Sequence, residues 1–403
     1  MNVKNNIEMI QESHIVDIPE EFKDIAPYAE HEFKSKLESL VHEPGFEHAI
    51  RYVIPNVDYD AFVKGLMTVE TLHEFQVKVA AQFLEVLEKH TTDGIRIFGT
   101  ENCDKGQNYT FITNHRDIVL DASFLNLGFI RNGMPITQVA IGNNLLIYDW
   151  ITDLVKINRS FIVKRDVKMI QALEAAKQLS AYIHYTIQQR HESIWIAQRE
   201  GRAKDSNDLT QESLIKMLSL AGDGSVKENL MAVNLCPVAI SYEYDPNDYL
   251  KAKEFLMKRR DPSFKKTQHD DLYSMEVGIL KYKGRVTFRV GKCINEGLKS
   301  FASEERMHVI KEACRLIDKS IHSGYEIYPG NYIAYDQLYA TDKFANEYTE
   351  ADVLKFNEYI SSQLSKVDVT DVSEEEMKYM REMMLTMYAN PLKNKMAALQ
   401  QID

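Results

Sequence analysis

Hydrophobic residues follow two different spacings along the chain, and the first one is helical. In TVETLHEFQVKVAAQFLEVLEKH (68–90), apolar positions recur every three or four residues, which gives a helix one apolar face. These positions are Leu72, Phe75, Val79, Phe83, Val86 and Leu87. The preceding residues are also polar on one side of a helical pattern. The spacing therefore predicts an N-terminal helical domain over residues 1–90.

The second spacing begins at residue 94, where short runs of β-branched and aromatic residues appear. These runs are IRIFG, YTFIT, ITQVAI, SFIVK, SIWIA, LCPVAISYE and RVTFRVG. Helical stretches separate most of them, at 118–130, 143–155, 166–190 and 209–221. Alternation of strand and helix predicts an α/β fold, with a largely parallel central sheet flanked by helices. Residues 91–330 are predicted to form this α/β domain.

Helical spacing returns near the end of the chain, at 302–322, 350–365 and 374–401. Residues 331–403 are therefore predicted as a C-terminal helical extension. Before the last helix, Ser373 stands three residues ahead of Glu376. This spacing is typical of a capping box, so Ser373 is predicted to cap that helix.

Composition and charge exclude several classes of protein. The net charge of −12 argues against a general nucleic-acid binder. The cysteines lack metal-binding spacing and are expected to be reduced thiols of a cytoplasmic protein: Cys103, Cys236, Cys293 and Cys314. The first residues lack the apolar core of a secretory signal, and no apolar run approaches the ~20 residues that span a bilayer. If the protein acts on lipid, it is expected to do so from the membrane surface.

The most informative stretch is YTFITNHRDIVLDASFLNLGFI (109–130). Its strand-like start leads into His115, and Asp121 follows six residues later in an apolar helix start. A histidine with a carboxylate beside it can activate a hydroxyl, because the imidazole takes the proton and the carboxylate orients the ring. Residues six apart do not share a helix face. The pairing therefore requires His115 to lie in the turn before the helix.

Further strand ends carry charged residues, which the carboxyl edge of an α/β sheet would gather near a ligand. SFIVKR ends in Lys164 and Arg165, and CPVAISYE ends in Tyr242 and Glu243. SIWIAQREGRAKD ends in a third group: Arg199, Glu200, Gly201, Arg202 and Lys204. Basic clusters beside a His–Asp pair favour a phosphorylated substrate, held by cations while His115 deprotonates its hydroxyl.

Four ordered blocks in residues 94–245 resemble the glycerolipid acyltransferases, in particular the glycerol-3-phosphate and dihydroxyacetone-phosphate acyltransferase branch. NHRDIVLD (114–121) is similar to that family's His-x4-Asp box, and RSFIVKR (159–165) to its second block. REGRAK (199–204) and CPVAISYE (236–243) are similar to the third and fourth blocks. Outside this window the likeness is general, because an N-terminal helical domain also occurs in this branch.

The chain departs from the family pattern in the first block, where five residues instead of four separate His115 from Asp121. One extra residue rotates a helical position by about 100°. Either the turn absorbs the insertion, or Asp117 takes the role of partner. Asp117 is preferred as the helix N-cap and Asp121 as the orienting carboxylate. The third block is also offset by one residue: aligning Arg202 and Lys204 with the family's Arg-x-Arg puts Glu200 on a family Gly, and aligning Glu200 and Gly201 with Glu-Gly leaves Arg202 one place early. Both alignments keep Arg202 near the phosphate.

The resemblance implies an acyltransferase that moves a fatty acyl group from acyl-CoA or acyl carrier protein to the hydroxyl of glycerol 3-phosphate. His115 would be the general base and Asp121 its orienting carboxylate. The resemblance implies no cofactor and no metal beyond the thioester co-substrate, and peripheral association with a membrane surface on its cytoplasmic side. The residues expected to hold the substrate are Arg116, Lys164, Arg165, Glu200, Gly201, Arg202 and Lys204.

Other functions stay open from the sequence. One is the same chemistry with a lysophospholipid such as lysophosphatidate, or an amino-acid lipid, as acceptor. Another is a non-catalytic protein that binds lipid or acyl carrier. The basic stretch YLKAKEFLMKRRDPSFKK (249–266) is either a contact for anionic lipid or acyl carrier, or a solvated helix face.

Overall fold

The computed structural model describes residues 18–165 and 168–400, and its centre is one sheet of seven strands. The strands are β1 (Ile95–Phe98), β2 (Thr110–Thr113), β3 (Gln138–Gly142), β4 (Ser160–Val163), β5 (Ile194–Ala197), β6 (Leu235–Tyr242) and β7 (Val286–Val290). Their order across the sheet is β1-β7-β6-β2-β5-β3-β4. Every neighbouring pair is parallel except β6 and β7. The predicted α/β fold is confirmed, and each strand lies in one of the seven β-rich runs, except that β3 extends one residue beyond its run.

Helices precede, connect and follow the strands. Before the sheet are α1 (Phe33–Val41), α2 (Pro44–Val53), α3 (Tyr59–Leu66), α4 (Leu72–Glu74) and α5 (Ala81–Thr91). Among the strands are α6 (Leu120–Arg131), α7 (Asp149–Ile157), α8 (Met169–Gln188), α9 (Glu212–Leu218), α10 (Val226–Ala232), α11 (Asp248–Arg260) and α12 (Gln268–Leu280). After the sheet are α13 (Asn295–Ser300), α14 (Arg306–Gly324), α15 (Pro329–Tyr339), α16 (Glu350–Leu364) and α17 (Glu374–Gln400). Short 3₁₀ turns lie at Glu20–Phe22, Glu30–Glu32, Thr100–Asn102 and Asn143–Leu145.

The predicted helix over 68–90 is present but is not a uniform α-helix. The Thr71 hydroxyl caps its start by accepting from the N–H of Glu74. Between α4 and α5 the chain is π-helical over Phe75–Ala80. Apolar spacing predicts that this segment is helical but not its type. Its apolar face joins α1 to α3 in a cluster that also packs on Ile157 of α7.

The sheet is covered on both faces, as the alternation of side chains along each strand requires. Ile112 and Ile194 point into a cluster formed with α8 and α14. Phe111 and Trp195, their chain neighbours, point into a second cluster with α5 and α6. Hydrophobic clusters therefore cover both faces of the sheet, and the connecting loops emerge at the strand ends.

The helices after the sheet share a core with α11. The methionines Met380 and Met384 of α17 are fully buried there, beside Phe356 of α16. Ser373 and Glu376 form the predicted capping box, because the N–H of Glu376 donates to the Ser373 hydroxyl at 3.2 Å and the N–H of Ser373 donates to the Glu376 carboxylate at 3.0 Å. The boundaries at 90/91 and 330/331 stay predictions, and the second lies in the first turn of α15.

Two further features concern the expected thiols and the expected lack of a membrane-spanning segment. All four cysteines are free thiols. In the part of the chain that the structure describes, no helix has the combination of length and apolarity needed to cross a bilayer.

Candidate active site

His115 lies immediately beyond β2, at the carboxyl edge of the parallel strands. The end of β2 is fixed by Asn114, whose side chain is fully buried against β6. Its amide donates to the carbonyl of Ile240 at 2.9 Å and accepts from the N–H of Ile240 at 2.8 Å. His115 is thus presented from a rigid strand end, where α/β proteins commonly place ligand-binding side chains.

The imidazole of His115 contacts the carboxylate predicted for it. Nδ1 lies 2.8 Å from Asp121 Oδ2, and Asp121 is fully buried. Because an ionised carboxylate only accepts hydrogen bonds, this contact places the proton on Nδ1 and leaves the lone pair on Nε2. Nε2 has no hydrogen-bond partner within residues 18–165 and 168–400. The side chain is 12% exposed, and Trp195 packs its ring edge-on against the imidazole at 5.7 Å.

The turn between the two residues absorbs the extra residue of the first block. Asp121 Oδ2 also accepts from the backbone N–H groups of Arg116, at 2.6 Å, and Asp117, at 3.1 Å. Asp117 Oδ1 accepts from the N–H groups of Val119 and Leu120, which are free at the start of α6. Asp117 therefore caps the helix and Asp121 contacts the imidazole, which is the arrangement preferred from the sequence.

A second carboxyl lies directly beside the His–Asp pair. Asp117 Oδ2 is buried without a partner, and α12 comes so close that a Cβ on Gly278 would lie 2.0 Å from this oxygen. Burial and the charge of Asp121 raise the pKa of Asp117. Burial lowers the pKa of nearby Lys283 to about 8, although the charge of Asp117 raises that pKa. The site thus holds one carboxylate against the imidazole and one carboxyl packed under a helix.

Tyr242 and Glu243, at the end of β6, contact different groups. Burial and then the charges of Asp121 and Asp117 raise the pKa of the Tyr242 hydroxyl, so Tyr242 lies beside the His–Asp pair in its neutral form. Glu243 is turned away to Arg285, which it contacts through both oxygens at 2.8 and 3.0 Å. Only Tyr242 of this block is directed at the candidate site.

Three of the expected phosphate-binding cations have hydrogen-bond or ion-pair partners within the protein. The guanidinium of Arg116 pairs with Asp208 at 2.7 Å. Arg202 is buried and, in the amide orientation that satisfies both groups, donates to Asn247 at 3.1 Å. Lys204 pairs with Glu254 at 2.9 Å. Burial, followed by the charge of Arg202, lowers the pKa of Lys204 to about 7.

The end of β4 sends its two cations to different places. Lys164 contacts Asp24 at 2.5 Å and Gln178 at 2.9 Å, in the wall of a cavity of about 610 Å³ between α8 and the N-terminal segment. Arg165 is 30% exposed, and its guanidinium lies 3.7 Å from Glu200, beside the turn where Gly201 adopts a φ of +66°. Among the expected cations that form an ion pair, Arg165 therefore has the longest contact with its carboxylate partner.

Unsatisfied polar atoms concentrate around His115. In the part of the chain that the structure describes, some buried side-chain polar atoms have no hydrogen-bond partner. More than half of them belong to residues around His115. They are Thr113 Oγ1, Arg116 Nη1, Asp117 Oδ2, Asp121 Oδ1, Trp195 Nε1, Gln198 Nε2 and Oε1, Arg199 Nε, Asp208 Oδ1 and Tyr242 Oη. Because buried polar groups in folded proteins are normally paired, this region has hydrogen-bonding capacity for a polar ligand or for water.

Residues that the sequence analysis did not select also shape the region. Trp195 contacts His115, Asp208 pairs with Arg116, and Lys251 and Asp245 form a buried ion pair. The partners of Trp195 and Asp208 are distant along the chain, so no spacing signal marks these two residues.

The basic stretch 249–266 is mostly neutralised inside the chain. The pairs are Lys251–Asp245, Lys258–Glu254, Arg259–Glu375, Arg260–Glu376 and Lys266–Asp271. The pairs of Arg259 and Arg260 link α11 to α17, and Lys266, which precedes α12, also lies 4.0 Å from Glu254 of α11.

Comparison with known proteins gives limited similarity. No model of a known protein family matches the chain, and no curated protein matches it. Among solved structures, the 1-acyl-sn-glycerophosphate (LPA) acyltransferase PlsC from Thermotoga maritima is similar, at 14% identity and a TM-score of 0.36. The match covers 71% of this chain and 94% of that one. At this TM-score the function has to be argued from the site residues of this chain.

Proposed function

We propose that this protein is an acyltransferase that moves an acyl group from a thioester to the hydroxyl of a phosphorylated glycerol acceptor. The observation that carries the proposal is the His115–Asp121 contact of 2.8 Å at the carboxyl edge of the sheet, with Nε2 left available. The four blocks that resemble glycerolipid acyltransferases support the same reaction. Glycerol 3-phosphate is the proposed acceptor.

The reaction follows from the protonation state of the imidazole. Nε2 of His115 takes the proton of the acceptor hydroxyl as its oxygen attacks the thioester carbonyl. The C–S bond then breaks, and the departing thiolate receives the proton from Nε2. Asp121 holds the Nδ1–H throughout and stabilises the cationic ring. General-base assistance contributes about 10²–10⁴ in rate, and positioning of the two substrates supplies much of the remainder.

Arg165 is the proposed anchor for the acceptor phosphate, because its charge is only loosely compensated by Glu200 at 3.7 Å. Arg116, Arg202 and Lys204 contribute positive potential from below the surface, although each has a partner in the chain. The donor is acyl-CoA or acyl carrier protein. We expect the protein to act at the cytoplasmic surface of a membrane, where the acylated product would collect.

A transfer assay with labelled acyl thioester and purified protein tests the reaction. The acceptor panel is glycerol 3-phosphate, lysophosphatidate and unphosphorylated glycerol. We expect transfer to glycerol 3-phosphate by the wild type and a loss of at least about 10²-fold in His115→Ala. His308→Ala is the matched control, because His308 is exposed on α14.

The panel separates the acceptor from the reaction class. Preference for lysophosphatidate would replace the proposed acceptor but keep the chemistry. No transfer to any acceptor, or equal rates in wild type and His115→Ala, would show that the protein is not this enzyme.

A further inference from the structure

Arg116 connects the His–Asp pair to the loop that follows β5. Its backbone N–H donates to Asp121 Oδ2 at 2.6 Å, next to the contact from His115. Its guanidinium Nη2 donates to Asp208 Oδ2 at 2.7 Å. A shift of Arg116 would therefore move the carboxylate that orients the imidazole.

The ion pair that holds Arg116 is deeply buried. The side chains of Arg116 and Asp208 are 5% and 1% exposed, and the guanidinium also lies over the ring of Tyr325 at 5.7 Å. Removing one partner would leave the other charge buried and uncompensated, because water cannot reach this position to replace it. The ion pair consequently fixes the position of the Arg116 guanidinium relative to Asp208.

Asp208 is anchored without the help of Arg116. The hydroxyl of Tyr325 donates to Asp208 Oδ2 at 2.8 Å, and His322 Nε2–H donates to the Asp208 carbonyl at 2.6 Å. Two residues later, the N–H and hydroxyl of Thr210 both donate to Asp318 Oδ1, at 2.8 and 2.6 Å. His322 and Asp318 belong to α14, and Tyr325 follows it directly. The loop is thus fastened to a long helix on the far face of the sheet.

We propose that Asp208 is a positioning residue for the His115–Asp121 pair, acting through Arg116. Anchored on α14, it holds the guanidinium of Arg116, whose N–H in turn holds Asp121 in line with the imidazole. This assignment rests on the proposed acyl transfer. A displacement of about 1 Å at a reacting group lowers a rate by about 10²-fold, so the ion pair matters to the chemistry through the position of Asp121.

Asp208→Asn in the full-length protein tests this role, because it removes the charge and keeps the shape. We expect kcat to fall about tenfold or more while the KM for the acyl donor stays unchanged. The Nδ1 proton of His115, which its hydrogen bond to Asp121 shifts downfield in the NMR spectrum, should broaden or move upfield. Asp208→Glu keeps the charge and should restore part of both signals; it also serves if the asparagine variant does not fold.

Glu192→Gln is the matched control. Glu192 is a nearly buried carboxylate that pairs with Arg159 and Arg190, and it precedes β5, so it lies at the opposite end of the strand. This variant should lose stability while kcat and the His115 proton stay unchanged. Equal effects of the two variants on kcat, or an unaltered His115 signal in Asp208→Asn, would overturn the proposal. If the wild type transfers no acyl group, the proposed function fails, and the His115 signal still decides whether Asp208 positions the pair.

Discussion

Replacing Asp121 with asparagine removes one charge from the candidate site and leaves its shape nearly unchanged. The amide oxygen can occupy the place of Oδ2, where it still accepts from the N–H groups of Arg116 and Asp117. The amide nitrogen then takes the place of Oδ1, which has no hydrogen-bond partner. We therefore expect the variant to fold, with a loss of about 1–2 kcal/mol for exchanging charged for neutral hydrogen bonds.

The expected kinetic effect is larger, because the positive imidazole exists only after proton transfer has begun. With Nδ1 2.8 Å from Oδ2, the centres of charge are about 4 Å apart, which corresponds to about 4 kcal/mol at an effective dielectric constant of about 20. This energy is about a factor of 10³ in rate. We expect kcat to fall by about this factor in Asp121→Asn while both KM values change little, since the lost interaction belongs to the transition state.

The assay is steady-state acyl transfer with Asp117→Asn as the comparison. Asp117 caps α6 and does not contact the imidazole, so its variant should lose up to about 1 kcal/mol of stability and keep a kcat near that of the wild type. Wild-type kcat in Asp121→Asn, or an equal fall in Asp117→Asn, would refute the assignment of Asp121 as the partner of His115.

Three further changes test other parts of the site and fold. Gly278→Ala places a Cβ 2.0 Å from Asp117 Oδ2, so urea unfolding should show a loss of about 1–3 kcal/mol and transfer should slow. Arg165→Ala should raise the KM for glycerol 3-phosphate about 10- to 100-fold, because a charged hydrogen bond to phosphate contributes about 1.5–3 kcal/mol. Burial and then Asp245 raise the pKa of Asp248 to about 7, so the folded state binds this proton more tightly than the unfolded chain. Its stabilising contribution is complete at acidic pH and is lost as the pH rises through about 7; the urea midpoint should therefore fall less between about pH 5 and about pH 8 in Asp248→Asn than in the wild type.

The first two of these changes have a control elsewhere in the chain. Gly65→Ala in α3 meets no atom within 4 Å and should not destabilise the protein, so a matching loss there would show that helix glycines are generally intolerant. Arg131→Ala removes an exposed cation paired with Glu88 and should leave the acceptor KM unchanged. Parallel pH curves for wild type and Asp248→Asn would exclude Asp248 as a source of the pH dependence.

The strands could be predicted from the sequence because they are short β-branched and aromatic runs between helical segments. The order of the strands could not, because Ile112 pairs across the sheet with residues of β5 and β6 that follow more than 80 positions later. The antiparallel pairing of β6 with β7 could not be predicted either, because paired residues such as Ile240 and Phe288 also lie far apart in sequence. The π-helical turn at Phe75–Ala80 keeps apolar spacing close to that of an α-helix and leaves no separate signal.

The contact of His115 with Asp121 could be predicted because both residues flank one strand–helix turn, where local geometry decides. The pairing of cations could not be predicted, because it depends on distant acidic residues. Arg116 meets Asp208, and Lys204 meets Glu254 on α11. Their roles in binding substrate remain a prediction, as does the catalytic role of His115.

A crystal structure of the protein with glycerol 3-phosphate tests the central claim most directly. The account predicts an acceptor hydroxyl within about 3.2 Å of His115 Nε2 and the phosphate against Arg165. A ligand bound elsewhere, or an imidazole that turns Nε2 away from the hydroxyl, would contradict it.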